Sequence, residues 1–364
     1  MNRLRGLSMQ KKILITGGTG FVGCNMAKAL ADKGYSVVST TRGNAAGPVL
    51  ATYSDLISVE TVDLTNKSEV NDLFSRHSFD GILIMAAAHQ DSNSRAENNT
   101  AYDMIFNTLN AACDAGVKRV IMASSMAVYG GERPPFNEST AFSPEISYED
   151  GRGSIPLPKF EVRIRRAIEQ VLLDYGTPLE NPTGSGGADQ ETGEMKGAHT
   201  LDVAILRFPF QFGPGYARMG NQMAIAAHAV AGRIKNVAEV RGHKNLPLKP
   251  LWSIVGSILP PLYVKDTVNA FICALEVDEL PHRIYNVVGN YPGGVKGQIE
   301  ALYRAAPEAQ EILGFDPEEF PDQMNDLGIN SDLIKEDLGW EQSYSLEEAF
   351  KEYIDWLKDE NNMY

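Results

Sequence analysis

Three glycines at three-residue spacing, Gly17, Gly20 and Gly23, are the residues of this sequence that point most directly to ligand chemistry. They follow an apolar run at residues 13–15 and open an amphipathic stretch that Gly34 is placed to end. This pattern predicts a buried strand, a tight turn and a helix. Such a turn brings backbone N–H groups and the positive end of a helix dipole against phosphate, so we expect a dinucleotide pyrophosphate here.

The next apolar run, "YSVVSTTRGN", predicts a second strand that ends near Thr41. Enzymes that prefer NAD usually place a carboxylate after this strand to hold the ribose hydroxyls. This chain has Thr41 and Arg42 instead, and a cation with hydroxyl neighbours suits a 2′-phosphate. We therefore expect NADP as the cofactor, with NAD as the second choice.

Further strand and helix patterns alternate along the chain and predict a doubly wound α/β sheet. The third strand is expected to end at Asp63 and Leu64, the fourth at residues 86–88, and the fifth at Ser124 and Ser125. Because ligands of such sheets bind outside the carboxyl ends of the strands, these positions should share one rim with the glycine turn.

Several motifs together resemble the extended short-chain dehydrogenase/reductase family. They are "TGGTGFVG", "VDL", "AAA", "GVKRVIMASSMAVYG", "LRFPFQFGPG", "LYVKDTVNAF", "RIYNVVG" and "DLGWEQSYSLEEAFKEYIDWL", and they run in family order from residue 11 to about 358. More narrowly, the chain resembles the NAD-dependent epimerase/dehydratase group that acts on nucleotide sugars.

The resemblance implies an α/β fold with a Rossmann-type doubly wound parallel sheet and a smaller, mostly C-terminal α/β substrate domain. The NAD(P)-binding domain would comprise residues 9–176, completed by 200–213 and 263–290. The substrate domain would comprise 214–262 and 291–364, with 177–199 as a mobile loop.

The resemblance also assigns roles to individual residues. Ser125, four residues before Tyr129, matches the catalytic serine or threonine of the family. The cofactor would be bound by Gly17, Gly18, Thr19, Gly20, Phe21, Val22, Gly23, Thr41, Arg42, Asp63, Leu64, Ala86, Ala87, Ala88, Ser124 and Pro209.

The central acid/base of the family is a tyrosine followed four residues later by a lysine, and no pair with this spacing is found in the expected region. The text "PFNESTAFSPEISY" selects Tyr148, which has Arg152 at the lysine position. The text "RRAIEQVLLDYG" instead puts Glu161 and Arg165 at the two positions. Two readings follow.

In the first reading Tyr148 transfers the proton, with Arg152, Lys159 or Arg165 as the cation that stabilises its phenolate. In the second reading the tyrosine is lost, and Glu161 or no residue replaces it. The two alignments are compatible only if residues are inserted between Tyr148 and the helix that carries Glu161. The segment "GRGSIPLPK" has the glycines and prolines that are typical of such an insertion.

The substrate end also departs from the family. The arginine that usually grips a nucleotide phosphate before the "VxD" motif is missing from "SILPPLYVKD", and "LPLKPLWSIVGSILPPLYV" is apolar and rich in proline. This segment predicts either core of the small domain or a wall over an apolar substrate. The cationic residues that could bind a phosphate in place of the missing arginine are Arg207, Arg218, Arg233, Lys235 and Arg241.

Composition and charge narrow the function further. The formal net charge of -14 disfavours nucleic acid as a partner, and no apolar run has the length that crosses a bilayer, so we expect no membrane partner. The three cysteines are not spaced as a metal or redox pair, and the histidines are scattered, so we expect no metal and a cytoplasmic location.

The function that fits best is an NAD(P)-dependent oxidoreductase, epimerase or dehydratase. It would act by hydride transfer on a sugar nucleotide or a related small molecule with a hydroxyl or carbonyl group, as a homodimer. The alternative is a non-catalytic NADP-binding redox sensor or regulatory protein on the same fold, which the broken tyrosine–lysine pair would explain.

Overall fold

The protein was analysed as a computed structural model. The structure describes residues 10–43, 55–86, 95–146, 159–178, 200–216, 221–234, 260–323, 327–359 and 362. Three of the predicted site residues, Ala87, Ala88 and Tyr148, lie outside the described residues, as does Arg152.

Nine strands occur in the described residues. They are Lys12–Thr16 (β1), Ser36–Thr41 (β2), Ile57–Thr61 (β3), Gly81–Ile84 (β4), Arg119–Ser125 (β5), Asp202–Phe208 (β6), Gln211–Phe212 (β7), Leu262–Tyr263 (β8) and Ile284–Asn286 (β9). Seven of them form one sheet in the order β3-β2-β1-β4-β5-β6-β9, and β7 pairs with β8. The pairs β1–β2, β1–β4, β2–β3 and β6–β9 are parallel. This is the strand order of a doubly wound sheet, so the predicted fold class is confirmed.

Ten α-helices accompany these strands in the described part of the chain. They are Phe21–Asp32 (α1), Lys67–Arg76 (α2), Arg95–Asp114 (α3), Lys159–Tyr175 (α4), Gln222–Val230 (α5), Val264–Glu276 (α6), Gly294–Ala305 (α7), Ala309–Leu313 (α8), Asp332–Leu338 (α9) and Leu346–Lys358 (α10). None of the helices within the described ranges combines the length and apolar character needed to cross a membrane.

The first strand–turn–helix forms where the sequence predicts it. Residues Ile13, Leu14 and Ile15 of β1 are buried, and α1 buries one apolar face that includes Met26 and Leu30. Gly34 follows the helix with a φ of 89°, a left-handed conformation that favours glycine and so ends the helix.

Two predicted boundaries differ from the structure. β3 ends at Thr61, because Asp63 accepts hydrogen bonds from the backbone N–H and the hydroxyl of Thr65 and turns the chain. β4 ends at Ile84, although the N–H of Met85 still donates to the carbonyl of Thr16.

The chain divides into two compact units. The first comprises Met1–Ile121 and Leu172–Val203, and the second comprises Met122–Val171 and Ala204–Tyr364. In the first unit β1 lies between β2 and β4, and its side chains Ile13, Leu14 and Ile15 are almost fully buried.

In the second unit the C-terminal segment is fastened to the start of α6. Asp266 is 0% exposed, and its Oδ1 accepts a hydrogen bond of 2.7 Å from the N–H of Ser343. The indole N–H of Trp340 donates to the carbonyl of Asp266 at 3.0 Å. Among the described residues the other carboxylate oxygen of Asp266 has no hydrogen-bond partner, and burial raises the pKa of this group to about 6.

We predict that Asp266→Asn removes a pH dependence of folding stability. A raised carboxyl pKa means that the folded chain favours the protonated form, so this contribution is complete below the ordinary pKa near 3.8 and is lost as the pH rises through about 6. The loss should reach up to about 3 kcal/mol near neutral pH. Urea unfolding of both proteins across this range measures the difference, and parallel curves would show that Asp266 is not the titrating group.

Candidate functional site

The glycine turn of the first unit reverses the chain between β1 and α1. Gly17 has a φ of 69°, and a Cβ at this position would lie 3.1 Å from the backbone of Ala86. The N–H of Gly20 donates to the carbonyl of Gly17 at 3.0 Å, which closes the turn. A side chain at residue 17 would therefore be strained by the backbone conformation and would press on the end of β4.

Hydroxyl groups of β2 hold this turn in place. The N–H of Gly17 donates to Thr40 Oγ1 at 3.2 Å, and the N–H of Gly18 donates to the carbonyl of Thr40 at 3.1 Å. The Thr19 hydroxyl donates to Thr41 Oγ1, also at 3.2 Å. These hydrogen bonds to Thr40 and Thr41 thus fix the turn residues that are predicted to bind the cofactor, and they do not require a ligand.

The start of α1 is shaped for close approach. Gly20 is its N-cap, and no side chain caps the helix. A Cβ on Gly23 would collide with the carbonyl of Gly17 and the backbone of Gly18, and a Cβ on Gly18 would collide with Ser39. Because these positions have no side chains, the helix and the strand can pack closely together. Backbone groups and not side chains then form the surface at the helix start, and such a surface can bind an anion.

Arg42 and Asp63 stand after neighbouring strands of the first unit. Arg42 is exposed. The hydrogen bonds from Thr65 and, to a smaller extent, the positive charge of Arg42 lower the pKa of Asp63. Leu64 is buried, and its carbonyl accepts from the side chain of Asn107 at 3.0 Å. The rim after β2 and β3 therefore carries an ionised carboxylate within the field of a guanidinium.

The two predicted serines of the second unit point to different partners. The Ser124 hydroxyl donates to Glu169 Oε1 at 2.5 Å. Ser125 Oγ instead accepts from the N–H of Ala127 at 3.1 Å and caps the 3-10 helix Met126–Tyr129. Ser124 donates to a buried carboxylate, whereas Ser125 accepts through a lone pair and donates to no acceptor within the described ranges.

Glu169 and Arg207 form a buried ion pair beside these serines. Arg207 is 1% exposed, and its Nη2 lies 2.7 Å from Glu169 Oε2. Its Nη1 donates to the Tyr129 hydroxyl at 2.8 Å. Burial works against the guanidinium charge, but hydrogen bonds and the charge of Glu169 prevail and raise the pKa of Arg207. This network was not predicted from sequence, because Arg207 was considered only as a phosphate ligand; the structure shows that its guanidinium is turned inward.

The helix α4 carries the residues of the second reading. Glu161 Oε1 accepts from Arg165 Nη2 at 3.1 Å, an i,i+4 ion pair in which both side chains are largely buried. Lys159 is exposed at the first residue of the same helix. Glu161 and Arg165 are thus neighbours, as the tyrosine and lysine of a Tyr-x-x-x-Lys pair are by their spacing on a helix.

A further arginine, Arg166, organises the loop that follows the serines, and sequence analysis missed it. It donates to the carbonyls of Val128 at 2.8 Å and Gly130 at 3.0 Å, and to Glu132 Oε1 at 2.9 Å. Glu132 in turn accepts from the N–H of Ser143 at 2.7 Å. An arginine on the expected acid/base helix, directly after Arg165, was the available signal, but its partners are many residues away in sequence.

Two other predicted positions can be placed. Pro209 follows β6 directly, between Phe208 and Phe210. Arg233, considered as a cation for a phosphate, donates to the carbonyl of Leu357 at 2.7 Å and so contributes to anchoring α10. Arg218, Lys235 and Arg241 fall outside the described residues.

Comparisons with known proteins show which sequences and folds this chain is similar to. Residues 13–149 match the model of the NAD dependent epimerase/dehydratase family. UDP-glucuronate 4-epimerase of Thermodesulfobacterium geofontis is 24% identical over 363 residues, covering 95% of this chain and 96% of that protein.

Solved structures share the fold over nearly the whole chain. UDP-glucose-4-epimerase from Stenotrophomonas maltophila, with bound NAD and formylated UDP-arabinopyranose, has a TM-score of 0.65 at 19% identity and covers 96% of this chain and 98% of its own. A GalE-like L-threonine dehydrogenase from Cupriavidus necator has a TM-score of 0.63 at 20% identity and covers 94% and 99%.

Residues 13–149 thus match the family model, and the resemblance to the extended short-chain dehydrogenases/reductases is confirmed. The expectation of an enzyme is also confirmed, because curated relatives that match over more than nine tenths of the chain are epimerases, decarboxylases and reductases.

We predict that Glu169→Ala destabilises the fold by about 3–5 kcal/mol, because it leaves the buried Arg207 guanidinium without its counter-charge. The double variant Glu169→Leu/Arg207→Met should recover most of this loss, because no buried charge remains. Urea unfolding measures both values. As a control, Glu347→Ala breaks an exposed ion pair with Arg304 and should cost about 0–1 kcal/mol. A loss in the double variant as large as in Glu169→Ala would contradict the account.

Proposed function

We propose that this chain is an NAD(P)-dependent enzyme that transfers a hydride to or from a small molecule bearing a hydroxyl or carbonyl group. The observation that carries the proposal is the glycine turn, held by β2 against the start of α1. Collisions that a Cβ would meet at Gly18 and Gly23 mean that backbone must form this surface. Together with the family match of residues 13–149, this supports a dinucleotide as the ligand of the turn.

The residues present fit such a group. The N–H groups at the start of α1 would hold the pyrophosphate, with Thr19 of the turn and Thr41 at the end of β2 beside them and Asp63 and Leu64 near the adenine. When bound, the nicotinamide supplies the hydride donor or acceptor. Ala86, Ala87, Ala88, Ser124 and Pro209 complete the proposed cofactor contacts.

The preference between NADP and NAD depends on Arg42. Its exposed guanidinium after β2 supports NADP, since a 2′-phosphate would find a cation there. The ionised Asp63 lies in the field of the same cation and weakens its attraction for a phosphate. NAD, which the epimerase structure from Stenotrophomonas maltophila holds, is therefore the competing choice.

Proton transfer is assigned to the second unit. Ser125, with its hydroxyl proton uncommitted to Glu169, is proposed to hydrogen-bond the reacting oxygen of the substrate. Tyr148 is proposed as the proton-transfer group. Two residues before it, Ile146 packs on Gly131, where an added Cβ would lie 2.6 Å from Ile146 Cγ2. Ile146 is the last described residue before Tyr148 in the chain.

The competing assignment is Glu161, which occupies the tyrosine position when the helix is aligned through Glu169. Its carboxylate is held by Arg165 and could accept a proton as a general base. Under the first assignment, Arg152, Lys159 or Arg165 supplies the positive charge that Tyr148 requires. The two assignments make opposite predictions for substitution.

The substrate class, the oligomeric state and the cellular location are proposed as follows. The full-length relatives include enzymes named for UDP sugars, which supports a sugar nucleotide, and the fold also occurs in a threonine dehydrogenase, which supports a smaller substrate. The enzyme is proposed to act as a cytoplasmic homodimer. Light scattering after size exclusion measures the mass, and a particle of 39.8 kDa would refute the dimer.

We predict that Arg42→Asp reverses the cofactor preference. Losing a charge-assisted contact should weaken NADP binding by about 1.5–3 kcal/mol, whereas NAD binding should be kept or improved. Calorimetric titration of both dinucleotides into wild type and variant gives the ratio. Tighter NAD binding by the wild type, or an unchanged ratio in the variant, would remove the argument for NADP.

We predict that Tyr148→Phe lowers turnover about 10²–10⁴-fold, as expected for loss of a general acid/base. Glu161→Gln should retain most of the rate and leave the shape of the pH–rate profile unchanged. Steady-state rates with a substrate found by screening test both variants. A nearly normal Tyr148→Phe enzyme and an inactive Glu161→Gln enzyme would transfer the role to the carboxylate.

A further inference from the structure

The loop between β3 and α2, residues 62–66, leaves the sheet of the first unit at the carboxyl end of β3. The N–H of Val62 still donates to the carbonyl of Thr41 at 2.9 Å, so the loop begins beside the end of β2. Ligands of parallel α/β sheets bind at this edge. Asp63 and Leu64, which are proposed to lie near the adenine of the dinucleotide, belong to this loop, so its position bears directly on that site.

Hydrogen bonds within residues 63–69 give the loop its shape. Asp63 Oδ1 accepts from the N–H of Thr65 at 3.0 Å and from its hydroxyl at 2.8 Å. The N–H of Asp63 donates to Glu69 Oε2 at 2.8 Å, and the N–H of Asn66 donates to the carbonyl of Asp63 at 2.9 Å. Because all of these partners belong to the same short segment, the bonds preserve the turn but do not fix it to a neighbouring element.

Asn107 of α3 supplies a fixed point outside this segment. Its side-chain Nδ2 donates to the carbonyl of Leu64 and to the carbonyl of Thr65, each at 3.0 Å. The helix itself is anchored in the first unit, since the neighbouring side chains of Thr108 and Leu109 are buried. The amide of Asn107 therefore holds two consecutive peptide groups of the loop from a rigid element.

The turn that is fixed in this way leaves one donor and one acceptor for a ligand. A trans peptide directs its N–H opposite to its carbonyl, so the N–H of Leu64 points away from Asn66, which bonds the Asp63 carbonyl. In the described part of the chain this N–H meets no acceptor, and Asp63 Oδ2 receives no hydrogen bond.

The chemistry of this pair matches adenine. Asp63 is exposed, and the hydrogen bonds from Thr65 lower the pKa of its carboxyl, so the ionised group can only accept hydrogen bonds. The N–H of Leu64 can only donate. Adenine presents the complementary pair, because its 6-amino donor lies beside a ring nitrogen that accepts.

We propose that Asn107 is a positioning residue for the adenine end of the dinucleotide site. By holding the carbonyls of Leu64 and Thr65, it sets where the Leu64 N–H and the Asp63 carboxylate stand, and thereby the preference of the site for adenine over other purines. The proposal rests on the proposed function and adds to it a residue that acts through the loop. Asn107 lies 43 residues after Leu64, so no local sequence pattern connects it with the site.

The test compares two dinucleotides that differ in the purine. The full chain is titrated calorimetrically with NADP and with its hypoxanthine analogue, in which a carbonyl oxygen replaces the 6-amino group. This oxygen would face the Asp63 carboxylate, acceptor against acceptor, so the wild type should bind NADP about tenfold more tightly than the analogue. If NAD binds more tightly than NADP, NAD and its own hypoxanthine analogue are used.

Asn107→Leu removes the amide donor at similar side-chain size. It should weaken NADP binding about tenfold and weaken the analogue less, so the ratio of the two dissociation constants should fall to about twofold or less. A general loss of stability would weaken both dinucleotides alike and keep the ratio. Asn107→Asp, which places a carboxylate against the two carbonyls, should lower the ratio in the same way and serves if the leucine variant does not fold.

Asn110→Leu is the matched control, because Asn110 lies on the same helix and bonds a different partner. Its Oδ1 accepts from the Tyr175 hydroxyl at 2.7 Å. This variant should keep the wild-type ratio. Thermal unfolding of each variant checks that the fold is retained.

A wild type without preference between the two purines, or a folded Asn107→Leu protein with the wild-type ratio, would overturn the role of Asn107 and leave the proposed function standing. No binding of any of these dinucleotides by the wild type would overturn the proposed function itself.

Discussion

The buried ion pair between Glu169 and Arg207 is the interaction on which the second unit depends. A single carboxylate on α4 holds the guanidinium of β6 and the hydroxyl of Ser124 at the end of β5, while Arg207 reaches the Tyr129 hydroxyl. Three elements that are far apart in sequence are thereby fixed to one another. An isolated buried charge would be energetically costly, so Glu169 and Arg207 have little freedom to separate. The loop that follows Ser124 and Ser125 is therefore held rigidly as well.

In the first unit, the glycine turn before α1 places backbone groups and not side chains at the proposed ligand site. Threonine hydroxyls of β2 hold the turn from one side, and the missing side chains of Gly18 and Gly23 let strand and helix approach. The acidic chain thus needs few cations to bind a phosphate, because the dipoles of the turn and the helix supply the positive potential. Arg42 and Asp63, at the neighbouring strand ends, are proposed to adjust the selectivity for the dinucleotide.

The sequence predicted the sheet and the glycine turn because both depend on local patterns, such as apolar runs and glycines at fixed spacing. It could not predict the partners of Arg207 or Arg166, since nothing near them in sequence distinguishes a buried ion pair from a phosphate ligand. Strand ends at Asp63 and Ala86 were placed too late, because turn formation by Asp63 competes with the ladder. The choice of acid/base stayed open because the glycines and prolines between Tyr148 and Glu161 remove the fixed helical spacing by which sequence alone could choose between them.

A crystal structure of the chain with NADP tests the central claim most directly. The account predicts pyrophosphate oxygens within hydrogen-bond distance of the N–H groups at the start of α1, the 2′-phosphate on Arg42, and the Ser125 hydroxyl facing the reacting carbon of the nicotinamide. A dinucleotide bound elsewhere, or Ser124 in place of Ser125 at the nicotinamide, would contradict it.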